Sequence, residues 1–252
     1  MKKRLSGKVI IITGAESGIG KSIALRCVED GASVVAAGLD GSGLQITCRE
    51  CIALSGEEYV THSITDVRDP DAIEDLVNHT ISKFGHIDAA VANAGIVLGQ
   101  QPLTEITLED WNTIISTNLT GVFLTLQAVA RVLIKQGKGG SLLATGSSTA
   151  IKVAPNFTSY IAAKGGVHAM LQALALELAD KNIRVNTIVP GTTKTPITEN
   201  IPGYLEKVGP TLPMKEVVEP YELANFVAFA LSDDAPHMTG TLLKIDAGRV
   251  LS

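Results

Sequence analysis

Cysteine is scarce. Only Cys27, Cys48 and Cys51 occur in 252 residues, and an odd set argues against a disulfide framework and suits a reducing compartment. Cys48 and Cys51 form a Cys-x-x-Cys inside the amphipathic segment Gly43 to Leu54, but no second Cys or His pair lies nearby in the sequence to complete a metal site. They read as buried or half-buried thiols. The five histidines are scattered from His62 to His237 without ligand-type spacing, so no metal is expected. An excess of positive charge is also missing. The 21 basic and 26 acidic residues leave a net charge of −5, and the scattered cations mark neither nucleic acid nor a membrane surface as a partner. No apolar run reaches bilayer-spanning length, and the basic start Met-Lys-Lys-Arg-Leu-Ser-Gly is not followed by a signal-type stretch, so a cytoplasmic location is expected. Nothing resembles a linker, and the chain suits one domain over residues 1–252.

What is present is alternation. Apolar, β-rich runs recur at Val9 to Thr13, Ser33 to Ala37, Tyr59 to Ile64, Ile87 to Asn93, Ser141 to Thr145, Arg184 to Val189 and Thr241 to Ile245. Helix-period segments separate most of them. The pattern predicts βαβ units and a doubly wound, Rossmann-type parallel sheet of about seven strands, with helices on both faces. Two long helical stretches, about Thr107 to Lys135 and Phe157 to Asp180, carry more apolar surface than one sheet face needs, which ordinary packing or an oligomer would bury. Between Thr193 and Lys215 the pattern breaks into Pro196, Pro202, Gly203, Gly209, Pro210 and Pro213, read as a substrate lid over about 193–215 or as a plain surface loop.

The first strand enters the turn Thr13-Gly14-Ala15-Glu16-Ser17-Gly18-Ile19-Gly20 and then a helix. Gly14 permits a tight turn, Gly18 lets backbone approach a pyrophosphate, and Gly20 allows close helix-strand packing while the helix amides face the phosphates. A dinucleotide is the expected ligand. Further on, Tyr160 and Lys164 stand four apart in Tyr-Ile-Ala-Ala-Lys, which puts a phenol and an ammonium on one helix face. A nearby cation favours the phenolate and moves its pKa toward the range useful for proton transfer.

With these motifs the chain resembles the short-chain dehydrogenase/reductase family over nearly all of its length. Thr13-Gly14-x-x-x-Gly18-Ile19-Gly20 matches the family's cofactor turn, Asp66-Val67 its adenine-side position, and Asn93-Ala94-Gly95 the motif closing its fourth strand. Asn118 matches its helix asparagine, Ser147, thirteen residues before Tyr160, its catalytic serine, and Pro190-Gly191 and Thr195-Pro196 the loop beside the nicotinamide. The resemblance implies Asn118, Ser147, Tyr160 and Lys164 as catalytic residues. It also implies cofactor contacts from Gly14, Ser17, Gly18, Ile19, Gly20, Asp40, Asp66, Val67, Asn93, Ala94, Gly95, Tyr160, Lys164, Pro190, Gly191, Thr193 and Thr195, and a homotetramer or dimer formed through the long helices. In this scheme Tyr160 exchanges a proton with the substrate oxygen and Ser147 hydrogen-bonds that oxygen, with Ser148 as second choice. Lys164 lowers the phenol's pKa and holds the nicotinamide ribose, and Asn118 holds a water that links Lys164 to solvent.

The chain departs from the family at several places. NAD-preferring members carry an acid where this chain has Gly38; Asp40, two residues on, either reaches the adenosine ribose or is a solvated turn residue. Ser17 and Leu39 stand where the family often has a cation for the 2′-phosphate, and Glu16 and Asp40 would repel that phosphate. NAD is therefore expected in preference to NADP. Gly146 replaces the usual Ser or Thr before the serine, and Asp246-Ala247-Gly248 replaces Asp-Gly-Gly.

The expected function is interconversion of a hydrophobic secondary alcohol and its ketone with NAD(H). The guessed pocket walls Val97, Leu98, Thr149, Ile151, Ala154, Phe157, Ile197 and Tyr204 are mostly apolar. The alternatives are reduction of a 3-oxoacyl thioester on carrier protein with NADPH, and a non-catalytic nicotinamide-dinucleotide sensor.

Overall fold

β-Branched and alanine-rich runs set the architecture, since strands buried on both faces need no polar alternation. In a computed structural model, which describes residues 3–252 and so leaves Met1 and Lys2 of the basic start aside, all seven expected strands form. They are β1 (Val9–Thr13), β2 (Ser33–Gly38), β3 (Val60–Ile64), β4 (Ala89–Ala92), β5 (Gly140–Thr145), β6 (Ile183–Pro190) and β7 (Leu242–Ile245). Every pairing is parallel, in the order β3-β2-β1-β4-β5-β6-β7. The chain is thus one doubly wound α/β domain.

Alternation along β1 shows how both faces are filled. Ile10 and Ile12 point into a core shared with α1 (Gly18–Glu29), α2 (Gly41–Ser55) and α9 (Pro220–Leu231). Ile11 points the other way, toward α3 (Pro70–Phe84), α5 (Gly121–Gln136) and α6 (Thr158–Glu177). Each such side chain contributes roughly 1.5–3 kcal/mol through burial. Cys27, Cys48 and Cys51 all lie buried in the first core as free thiols. Burial pushes all three up in pKa, Cys51 to about 12, so they stay protonated and act as small apolar side chains.

The first long helical stretch is two helices joined end to end. α4 (Leu108–Ile115) runs through a π-helical turn, Ser116–Thr120, into α5. By length and composition Leu108–Gln136, which holds an 18-residue window with a mean hydropathy of 1.4, could cross a membrane, which corrects the expectation that no segment reaches that length. Here Val122, Leu126, Val129 and Leu133 pack into the core beside the sheet.

The expected lid region is more ordered than its prolines and glycines suggested. It holds two short helices, α7 (Pro196–Glu199) and α8 (Tyr204–Val208), and backbone hydrogen bonds tie its two ends down, Lys194 N to Val218 O and Met214 N to Ala247 O.

Candidate active site

The strand order reverses between β1 and β4, and at such a switch point the crevice beyond the carboxyl ends of the strands is free to take a ligand. There Gly14 (φ +65°) and Gly18 (φ +51°) adopt left-handed backbone, which other residues enter only at a cost. Gly20 packs so tightly that a Cβ would lie 2.0 Å from Gly14 O. Asn93 ties the strand ends together. Its Nδ2 donates to Thr13 O at 3.1 Å and Gly14 O at 3.2 Å, and its Oδ1 accepts from Thr145 Oγ1 at 2.9 Å.

A cleft with a cavity volume of about 340 Å³ opens over this crossing, within the range of small-molecule sites. Of the expected cofactor residues, Gly14, Ser17, Gly18, Ile19, Asp66, Val67, Asn93, Ala94, Gly95, Tyr160, Lys164 and Thr195 line it, as does Asn118 of the expected catalytic set. Gly20, Asp40, Pro190, Gly191 and Thr193 do not line it. Gly191 is pressed against Asp246, whose Cα would be 2.6 Å from an added Cβ, and Thr193 Oγ1 donates to Gly191 O at 3.1 Å. Asp40 is not brought into the cavity. Its carboxylate accepts from Ser42 N at 3.0 Å as the N-cap of α2, a turn role that follows from the residue's usual preference.

The cleft also contains groups the sequence reading had not given to the cofactor. Arg68 lines it, but its guanidinium is engaged by Asp66, Nη2 to Oδ2 at 2.6 Å and Nε to Oδ1 at 2.9 Å. This hydrogen bonding holds the Asp66 carboxyl below the usual range. Glu16, read only as a group that would repel phosphate, lies over Gly38 in the place a side chain at 38 would fill: a Cβ there would sit 2.0 Å from Glu16 Oε2. That oxygen is closed from water and meets no hydrogen-bond donor, an arrangement that costs about 1–3 kcal/mol.

The catalytic set gathers where β5 meets α6. Lys164 is 3% exposed, and its Nζ donates to Thr145 O at 2.7 Å. Burial lowers its pKa to about 8. Its Nζ lies 5.9 Å from the centre of the Tyr160 ring. The expectation that Lys164 pulls the phenol down is not met in this structure. Burial raises Tyr160, a hydrogen bond with Ser147 opposes it by less, and Tyr204 of α8 raises it further; the ammonium is spent on Thr145 O instead. Ser147 Oγ accepts from Thr149 N at 3.1 Å, and Ser148 Oγ accepts from Arg249 Nη1 at 3.2 Å.

Asn118, fully buried in the π turn, directs its amide at one residue: Nδ2 donates to Ile96 O at 2.9 Å and Oδ1 accepts from Ile96 N at 3.1 Å. It therefore holds the turn that follows β4. Its Oδ1 and Lys164 Nζ flank the bare face of Gly95, at 2.6 and 3.4 Å from where a Cβ would stand. His168 is a further group missed from sequence. Its Nε2 accepts the N–H of Ser147 at 3.2 Å and would lie 2.3 Å from a Cβ on Gly146. Burial, with Lys164 second, lowers its pKa, so the ring stays neutral and able to accept. Among the described residues no three His, Cys, Asp or Glu side chains come together in a way that could hold a metal ion.

The glycine cradle, the orphaned carboxylate oxygen and a cleft that reaches from β2 to Tyr160 fit a nicotinamide dinucleotide. Comparison with known proteins agrees. A family model described as enoyl-(acyl carrier protein) reductase matches residues 14–249. The 3-oxoacyl-[acyl-carrier-protein] reductase FabG of Thermotoga maritima is 38% identical over 249 residues, covering 98% of this chain and 100% of that protein. Cyclohexanol dehydrogenase of an Acinetobacter strain is 36% identical over 247 residues, covering 98% and 96%. The crystal structure of carveol dehydrogenase from Mycobacterium avium in complex with NAD superposes with a TM-score of 0.92 at 30% identity, covering 99% and 100%. The chain belongs to the short-chain dehydrogenase/reductase family. Its class is that of the NAD(P)-dependent oxidoreductases acting on CH–OH and C=O groups.

Proposed function

We propose that this enzyme interconverts a hydrophobic secondary alcohol and its ketone with NAD(H), Tyr160 serving as general acid and base. The observation that carries this reading is the position of Tyr160. It lines both the cofactor cleft and a small recess where apolar Val97, Leu98, Ile106, Ile114 and Phe157 stand beside polar Gln101, Asn156 and Ser159. A substrate carbonyl at the mouth of that recess, where it opens on the cleft, would meet the phenol, with the carbon skeleton against Val97, Leu98 and Phe157. The alicyclic alcohols in the names of the cyclohexanol and carveol relatives are of this kind.

When bound, the nicotinamide would supply or take up the hydride at the substrate carbon. This chain's residues would handle the proton. Tyr160, held protonated by burial, would donate to the carbonyl in reduction and take the proton back in oxidation. Ser147 would hydrogen-bond the oxygen on which charge develops. Lys164, fixed by Thr145 O, would hold the nicotinamide ribose, and a water in the gap at Gly95 would link it to solvent. Pro196, Ile197 and Tyr204 support a lid reading for residues 193–215, since the first two line the cleft and the third acts electrostatically on Tyr160. The exposed Phe123, Ile134 and Leu176 on α5 and α6 favour a homo-oligomer, and a cytoplasmic enzyme remains part of the proposal.

A second reading, reduction of a 3-oxoacyl thioester, is favoured by the FabG relative. Purified protein with NAD or NADP and a panel of alicyclic alcohols separates the two when reduced-nicotinamide absorbance is followed. Turnover with NAD, reduced about 10²–10⁴-fold in a folded Tyr160→Phe variant that still binds NADH, is the expected result. Near-full turnover in that variant would exclude Tyr160 as acid and base. Silence with free alcohols but turnover of a 3-oxoacyl thioester would move the assignment to the second reading.

A further inference from the structure

We propose that Glu16 is the acid that receives the 2′-hydroxyl of the adenosine ribose and so selects NAD over NADP; this rests on the nicotinamide-dinucleotide reading above. In the usual arrangement that acid stands about 20 residues after the glycine turn, at the end of the second strand. Here the second strand ends in Gly38, and the carboxylate over it comes from the glycine turn itself.

Three observations carry the assignment. First, the space is taken. A Cβ on Gly38 would meet Glu16 Oε2 at 2.0 Å and Cδ at 2.6 Å, so an acid at 38 and Glu16 as placed exclude one another. Second, Glu16 lines the cleft, at the β2 side, away from Tyr160, and makes no hydrogen bond. A carboxylate oxygen closed from water wants a donor, and an unmodified ribose brings a 2′-hydroxyl that can donate, whereas a 2′-phosphate puts negative charge in that place. The terminal torsion of a glutamate is broad and two-fold, so either oxygen can turn to the cleft. Third, the backbone beside Glu16 is clamped. Thr47 Oγ1 of α2 donates to Ala15 O at 2.9 Å, and Gly43 packs so near that its Cβ would meet Glu16 Cβ and Glu16 O at 2.9 Å. The competing groups are committed elsewhere, Asp40 to the cap of α2 and Asp66 to Arg68.

Equilibrium titration of nicotinamide fluorescence tests this with three ligands: NADH, NADPH and NADH lacking the adenosine 2′-hydroxyl. The parent is expected to bind NADH about tenfold or more tighter than the 2′-deoxy form, the worth of one charge-assisted hydrogen bond, and to bind NADPH most weakly. Glu16→Gln should lose most of the 2′-deoxy discrimination and narrow the NADH to NADPH ratio by about tenfold or more. Glu16→Gly combined with Gly38→Asp moves the acid to the strand end and should restore both preferences. The 2′-deoxy comparison on the parent needs no variant to fold, and equal binding of the two ligands there would overturn the proposal. So would an undiminished 2′-deoxy penalty in Glu16→Gln. In either case preferential NADH binding by the parent would leave the dinucleotide reading standing. A parent that binds no reduced nicotinamide, or binds NADPH tightest, would overturn the NAD reading and this assignment together.

Discussion

The two ends of the cleft handle the same substitution differently. At the β2 end Gly38 stands where a side chain is usual, and Glu16 covers it; at the β5 end Gly146 does so, and His168 covers that. His168 is finished, since its Nε2 already accepts from Ser147 N at 3.2 Å. Glu16 is unfinished, with an oxygen that no donor reaches. A completed hydrogen bond marks a part of the scaffold that is set before any ligand arrives. An orphaned one marks a group whose hydrogen bonding the fold does not complete. The Gly146 end is thus tied together within the fold, whereas the Gly38 end holds a carboxylate oxygen that the fold leaves without a donor.

The sharpest probe of the β5 end is Lys164. Lys164→Met should cut turnover by roughly 10²–10⁴-fold and yet stabilise the ligand-free protein at pH 7 by roughly 1–3 kcal/mol, because the buried ammonium has a pKa lowered to about 8 from 10.5. The sign follows from proton counting. Between those two values the unfolded chain holds a proton that the native one has lost, so the destabilisation is full below about pH 8 and fades as pH rises toward 10.5. Urea unfolding at pH 7 and 10 checks it; an equal gain at both would refute the origin in desolvation.

Matched glycine replacements compare the two ends directly. Gly146→Ala should cost about 1–3 kcal/mol, because the new methyl meets a buried ring at 2.3 Å and Thr187 Cγ2 at 2.8 Å. Gly38→Ala should cost less than about 1 kcal/mol, since the far end of Glu16 can swing into the cleft. Thermal melts of both variants decide, and equal losses would erase the contrast. A smaller effect concerns acid. His168 has its pKa lowered below 6.5, so as pH falls below that value the unfolded chain takes up a proton the native one refuses, and stability drops. His168→Gln should flatten that part of a stability-against-pH curve. The mildest prediction is Asp40→Ala, which should cost about 1 kcal/mol of stability as a lost N-cap and leave NADH affinity unchanged by the titration described above.

Much of this was legible in the sequence, for reasons tied to range. The seven strands announce themselves as local β-rich runs, and Tyr160 and Lys164 share a face through a spacing of one helical turn. The glycine turn, Asn93 and Thr195 come together because strand ends converge at a switch point. What escaped depends on contacts between distant segments. Glu16 meets Gly38 across a βα unit, and His168 reaches Ser147 from the middle of α6. Neither pairing leaves a periodic trace. Arg68 lines the cleft because Asp66 holds its guanidinium there, a loop contact with no periodic signature, and the short helices α7 and α8 lie among prolines and glycines that ordinarily signal loops.

The position of β1 also bears on how the protein is made. β1, the earliest strand of the sheet in chain order, becomes its middle, bonded to β2 on one side and to β4 on the other. Its second neighbour is specified about 80 residues later, Ile10 pairing with Ala89, which at translation speed is a delay of roughly 4–16 s. Through that interval Val9-Ile10-Ile11-Ile12 presents an open, wholly apolar edge, the kind that recruits other chains. Until the Ala89–Ala92 strand has emerged, that side of β1 has no strand of its own sheet to pair with.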